Sequence, residues 1–165
     1  TNLMGALHRL TSTGRAGEGT VDLGQAIVRT TALARRRGLA VVISDFLGDP
    51  SSWGPALRRL ATRHETIAVE ILDPRELSLP NVGVLSVVDP ATGESRDVPT
   101  ASKKLRARYA AAATEQRTQI ADTIRKAGAD HLVLRTDQDW LLDIVRFVTS
   151  RRERVHARRA GWEAR

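Results

Sequence analysis

The sequence predicts a three-layer α/β domain, in which a mostly parallel sheet lies between helices and carries one added β-hairpin. Short apolar runs at 39–43, 67–72 and 131–134 alternate with longer stretches whose apolar residues recur at helical spacing. The runs lack the in–out alternation of a one-sided sheet, which is the pattern of strands covered on both faces. Strands that alternate with helices pair in parallel through right-handed crossovers. A chain of 165 residues, 41% hydrophobic but only 4% aromatic, suits one such domain with an aliphatic, alanine-rich core.

Leu3, Leu7 and Leu10 open the chain in helical register, as expected of the end of a helix over 2–11 and of a start inside a larger protein. A glycine-rich loop, 13–19, follows. From Asp22 to about Arg37, Leu23, Ala26, Ile27 and Ala34 mark a helix that Gly38 should stop. The strand 39–43 comes next, then Asp49-Pro50-Ser51-Ser52 opens a helix with one stripe of Trp53, Ala56, Leu57, Leu60 and Ala61. A second strand fills 66–72, and a loop holds Pro74 and Pro80. Residues 82–88 and 95–98 read as a hairpin around the turn-forming 89–94. A long helix over 101–127, striped by Leu105, Tyr109, Ala113, Ile120 and Ile124, closes at Gly128. After the strand 131–134, Asp137 is placed to cap a last helix carrying Trp140, Leu141, Ile144, Val145 and Val148.

Several function classes are excluded or disfavoured. The absence of cysteine removes disulfide scaffolds and cysteine-ligated zinc, and fits a cytoplasmic protein. No apolar run approaches the roughly 18 residues of a membrane span, and no signal peptide opens the chain. His8, His64, His131 and His156 lack the paired spacing of a zinc site. Ser44 and Asp45 are strand neighbours that point to opposite faces, so they are not a nucleophile–base pair. The Gly14-x-x-Gly17-x-Gly19 loop has neither the preceding strand nor the lysine of a phosphate-binding loop. Trp53 and Trp140 read as core residues. The expectation is a binding module and not an enzyme.

The net charge of +7 is concentrated at the end of the chain, where residues 146–165 hold seven arginines against Glu153 and Glu163. Arg151, Arg152, Arg154, Arg158 and Arg159 could grip an anionic surface or nucleic acid. The commoner case is a solvated helix end whose cations suit the helix dipole. Nucleic acid is the weaker reading, because only Trp162 supplies an aromatic nearby.

In open α/β sheets ligands gather outside the carboxyl ends of the strands. Those ends carry Ser44-Asp45, Asp73 and Arg135-Thr136-Asp137, while Gly19-Thr20 leads into the first full helix. Carboxylate and hydroxyl oxygens from separate loops suit a hard cation such as Mg2+, although an Asp at a strand–helix junction more often simply caps the helix or turn that follows it.

Gly19-Thr20 with Leu23 and Ala26-Ile27, followed by the Ile43-Ser44-Asp45 strand end, resembles the second and third loops of a von Willebrand factor A domain. The ordered set of Val41 to Leu47, Trp53, Leu60-Ala61-x-Arg63-His64-Glu65, Asp73-Pro74-Arg75-Glu76 with Leu79-Pro80, Asp89-Pro90-x-Thr92-Gly93-Glu94 and Thr136-Asp137 is more specific. It resembles the bacterial family catalogued as domain of unknown function fifty-eight, over roughly 17–152. The resemblance implies a Rossmann-like, von Willebrand A-like sheet, present here in part. Residues 1–152 would be the C-terminal part of such a domain and 153–165 an arginine-rich tail.

It further implies a protein-interaction module that works with a MoxR-type AAA+ ATPase as adaptor or chaperone component. Thr20 and Asp45 would be two ligands of a metal-ion-dependent adhesion site, within reach of one another, with Ser44, Asp73, Glu76 and Asp137 shaping the partner-binding rim. The family's Asp-x-Ser-x-Ser motif, source of the first ligands, does not occur in this sequence. Mg2+ or a similar cation is therefore expected to bind tightly only in the intact protein. In the family's fold the strand bearing that motif lies beside the one that here is 39–44. Its absence predicts an unpaired apolar edge that recruits another strand, and hence self-association.

Overall fold

The computed structural model describes residues 22–88 and 95–163. The expected helix end at 2–11, the glycine-rich loop with Thr20, and the 89–94 turn lie outside these residues, as do the side chains of Arg154, Arg158 and Arg159.

Asp22 opens α1 (Leu23–Leu33), its carboxylate accepting the Gln25 N–H at 3.1 Å. The helix ends at Leu33, short of Arg37, because a helix in a protein persists where an apolar face packs, and 35–37 are three arginines. After β1 (Leu39–Ser44), Asp49 caps α2 (Pro50–Arg63), with Pro50 in the first turn, where no backbone donor is needed. β2 (Glu65–Leu72) runs into a single 3-10 turn (Pro74–Leu77), which Asp73 caps within what the sequence suggested was loop. β3 (Val84–Val88) and β4 (Ser95–Pro99) form the expected hairpin as a separate antiparallel pair. Ser102 caps α3 (Lys103–Ala127), and Gly128, at φ +82°, ends it in the left-handed conformation glycine adopts without strain. β5 (Asp130–Arg135) and α4 (Trp140–Glu163) complete the described chain.

The main sheet has the order β1-β2-β5, all parallel, with Leu39 opposite Glu65 and Ile67 opposite Asp130. The mixed α/β class is as expected. One face presents Ala40, Val42 and Ala68 to a core of Ile27, Phe46, Trp53, Leu57, Leu60, Ile120 and Ile124, drawn from α1, α2, α3 and the loop after β1. Each large apolar side chain fully withdrawn from water here contributes roughly 2 kcal/mol. Close packing of α1 on α2 depends on Gly24, since a Cβ there would sit 2.4 Å from the Ser52 carbonyl oxygen.

The other face departs from expectation. β1 is not covered on both sides: Leu39, Val41 and Ile43 are 58%, 50% and 65% exposed. The last helix, α4, packs against β5 at the far side of the sheet. Arg151 ties it there, its Nε 2.7 Å from Asp130 and a terminal nitrogen 3.0 Å from Glu65. By register these two acids share the face of Leu39, Val41 and Ile43. Most of the α4 stripe is likewise uncovered: Trp140, Leu141, Leu142, Val145 and Val148 are exposed, so Trp140 is not a core residue. Trp53 is, and is fully buried. Asp137 does not cap α4. It makes a two-pronged ion pair with Arg135, both contacts at 3.0 Å, and Asp139 takes the capping role by accepting the Leu141 and Leu142 N–H groups.

Candidate functional site at the carboxyl ends of the strands

Where β1 ends, the chain makes a tight turn. Ser44 Oγ accepts the Phe46 N–H at 3.1 Å, and Asp45 Oδ1 accepts the Leu47 N–H at 3.1 Å. These bonds hold Phe46 at φ 56°, a region most side chains avoid, and turn its ring into the core. There the ring meets Trp53 edge-on, with centroids 5.1 Å apart. Trp53 Nε1 in turn donates to the Gly48 carbonyl at 3.2 Å, so a core residue fixes the loop that displays Asp45.

A second set of contacts joins this loop to the end of β2. Arg117, on α3, donates from one terminal nitrogen to the Asp45 carbonyl at 3.1 Å and to Glu70 Oε1 at 2.7 Å. Its other terminal nitrogen reaches Glu76 Oε2 at 3.1 Å. Next to it, Gln116 donates to the Leu47 carbonyl at 3.2 Å. His131, on β5, lies 2.7 Å from the second oxygen of Glu70. One arginine thus bridges three segments, and a histidine closes the ring around a carboxylate whose residue is only 2% exposed.

Burial pushes the Glu70 carboxyl upward, but the hydrogen bonds and charges of His131 and Arg117 outweigh it and hold the group below its ordinary value of 4.5. A carboxyl lowered in the folded state adds stability above its unfolded value, and that contribution is lost as pH falls through the folded value. Unfolding by urea at a series of pH values should show wild type losing stability below about pH 4.5, and Glu70→Gln losing less of it over the same interval. Parallel profiles for the two proteins would contradict the charged cluster.

Of the residues singled out from sequence, Glu76 and the backbone carbonyl of Asp45 meet at Arg117, and Ser44 shares the turn of Asp45, whereas Asp73 and Asp137 act locally as a cap and an ion-pair partner. Thr20 lies outside the described residues. Glu70, Arg117 and His131 were missed, yet the signals were present. Glu70 is the one acid within the apolar run 66–72, and Arg117 falls on the helical stripe of Ala113, Ile120 and Ile124. The described residues do not assemble a divalent-cation site. The carboxylates that converge, Glu70 and Glu76, are already bound by a guanidinium, and no group of three potential ligands forms among the described residues. At the amino ends of the strands a cleft is lined by Arg37, Arg63, Arg125 and Arg151, but Arg151 is committed to Asp130 and Glu65.

A family profile described as protein of unknown function DUF58 matches residues 1–119. The chain belongs to the DUF58 family. An uncharacterized protein from Mycobacterium avium is 48% identical over 147 residues, covering 88% of this chain and 86% of the relative. Uncharacterized proteins from Mycobacterium bovis and Mycobacterium tuberculosis are 50% identical over 131 residues. That match covers 79% of this chain but 41% of theirs, so the chain spans well under half the length of these longer relatives. No solved structure matches the chain. Among the described residues, no helix is long and apolar enough to cross a membrane.

Proposed function

We propose that this DUF58 chain is a protein-interaction module of the von Willebrand A type, not an enzyme, acting in the cytoplasm with a MoxR-type AAA+ ATPase as adaptor or chaperone component. The observation that carries this reading is the apolar surface on the α4 side of the sheet. Leu141, Val145 and Val148 form a helical stripe beside Trp140 and Leu142, and all five are exposed. Contiguous apolar surface rimmed by charge marks a site for another protein. The strand-end cluster supports a binding role in a second way: Arg117 holds the Asp45 loop and Glu76 in place, giving the rim a fixed shape. Any cation dependence would use Thr20 and Asp45 as two of the ligands, with the others contributed from outside the described residues.

The test is a titration of the purified chain against the MoxR-type ATPase of the same genome, followed by calorimetry. Saturable binding is expected, weakened on the order of a hundredfold by Val145→Glu, which places a charge within the buried contact. A folded chain and an active ATPase that fail to associate would contradict the proposal. Binding to duplex DNA with a steep salt dependence would instead support the reading based on the terminal arginines.

A further inference from the structure

Where α2 and α3 meet, they enclose a groove of about 470 Å3, in the helical layer on the opposite face of the sheet from α4. Gly54, Pro55 and Thr62 of α2 line it together with Thr123 and Ala127 of α3, and the cations Arg58, Arg59 and Lys126 border it. The helices approach closely here, since a Cβ on Gly54 would stand 2.7 Å from the Thr123 methyl. The hydroxyls of Thr62 and Thr123 are bonded within their own helices, to the Arg59 carbonyl at 2.8 Å and the Gln119 carbonyl at 2.7 Å. Pro50 and Pro55, also in the wall, have no N–H. Between the cations, the lining therefore offers carbon and not hydrogen-bond donors. None of the described lining residues is acidic. After its cap Asp49, α2 contains Arg58, Arg59 and Arg63 and no acid, and on α3 Asp122 is held by Arg125 at 2.7 Å.

We propose that this groove docks an acidic amphipathic helix of another protein, its apolar stripe against Pro55, Ala127 and the threonine methyls, its carboxylates on Arg58, Arg59 and Lys126. Charge complementarity selects the occupant. Two guanidinium groups and an ammonium repel one another until carboxylates come between them, and the guanidinium fork matches a carboxylate in two bonds. The apolar lining then requires that the same ligand bring carbon as well as charge, as one face of an amphipathic helix does. A nucleic-acid backbone would use the same cations, but its phosphates are commonly held by hydroxyl and N–H donors as well, which this lining lacks. No aromatic side chain is present in the lining to stack a base. The wall from Pro50 to Thr62 is about 18 Å long, which accommodates roughly three helical turns. The site lies apart from the α4 surface and does not depend on it.

The probe is a fluorescein-labelled peptide of about 14 residues, with leucines at helical spacing along one face and glutamates on the others. Its anisotropy should rise saturably with the 165-residue chain, and binding should weaken as salt is added. Arg58→Glu combined with Arg59→Glu should weaken binding on the order of a hundredfold, and Lys126→Glu, on the other wall, on the order of tenfold. All three side chains are exposed, so the variants should unfold in urea close to the wild-type midpoint. A peptide of the same charge with serine in place of leucine should bind on the order of tenfold more weakly, which separates the apolar lining from charge alone. Absence of binding, or binding indifferent to the charge reversals, would overturn the proposal. A serine peptide that binds as well as the leucine peptide, or duplex DNA that displaces the peptide at equal charge, would reveal a general polyanion surface and overturn it too. No ATPase enters these measurements, so they stand or fall apart from the functional proposal.

Discussion

Replacing Arg117 with alanine is expected to destabilise the fold by about 3 kcal/mol, because removing one partner of a buried pair leaves the other charge unpaired. Arg117 retains 15% and Glu70 3% of their side-chain exposure, so little water reaches the orphaned carboxylate. His131 would still contact Glu70, whereas the Asp45 carbonyl and Glu76 would lose Arg117 as their common donor. Pairing the change with Glu70→Leu should recover much of the loss, since replacing both partners by apolar groups is often nearly neutral. Urea denaturation of the two single variants and the double variant tests this. A cost below about 1 kcal/mol for Arg117→Ala would mean that the cluster behaves as a surface ion pair.

Trp53→Ala is expected to cost about 3–5 kcal/mol, the range for truncating a large buried aromatic. The side chain is fully buried, and its ring supports Phe46 at the centre of the turn after β1. Trp53→Phe keeps a ring in the core but loses the bond to the Gly48 carbonyl, and should cost much less, with about 1 kcal/mol for the bond itself. Equal losses for the two variants would show that the hydrogen bond, and not the packing, holds this loop. In Trp53→Ala the Asp45 loop should also exchange its amide hydrogens faster, linking the core to the rim it displays.

Much of the fold was legible because strands and helices here have distinct periods. The runs at 39–43, 67–72 and 131–134 all became strands of one parallel sheet, and the turn chemistry of 89–94 separated two strands that do pair. What sequence could not supply was the position of covering elements. A continuous apolar run predicts burial on both faces, but whether β1 is covered depends on where α4 lands, and the Arg151 ion pairs hold it near β5. Similarly, Asp137 and Asp139 are both plausible caps by residue type, and Arg135 decided between them by binding the first. The site was half legible. Ser44 and Asp45 follow from reading strand ends and Glu76 from the family resemblance, whereas Arg117 arrives from a helix distant in sequence. Its position on an otherwise apolar stripe signals a buried partner without saying which carboxylate that partner is.

Methyl spectra of the leucine- and valine-labelled 18.1 kDa chain, recorded during titration with the MoxR-type ATPase of the same genome, test the interaction surface most directly. The methyls of Leu141, Leu142, Val145 and Val148 should shift or broaden at sub-stoichiometric ATPase, while those of the buried Leu57 and Leu60 remain in place. Spectra unchanged at excess ATPase, or changes that spare the α4 methyls, would contradict an interaction module that binds through this surface.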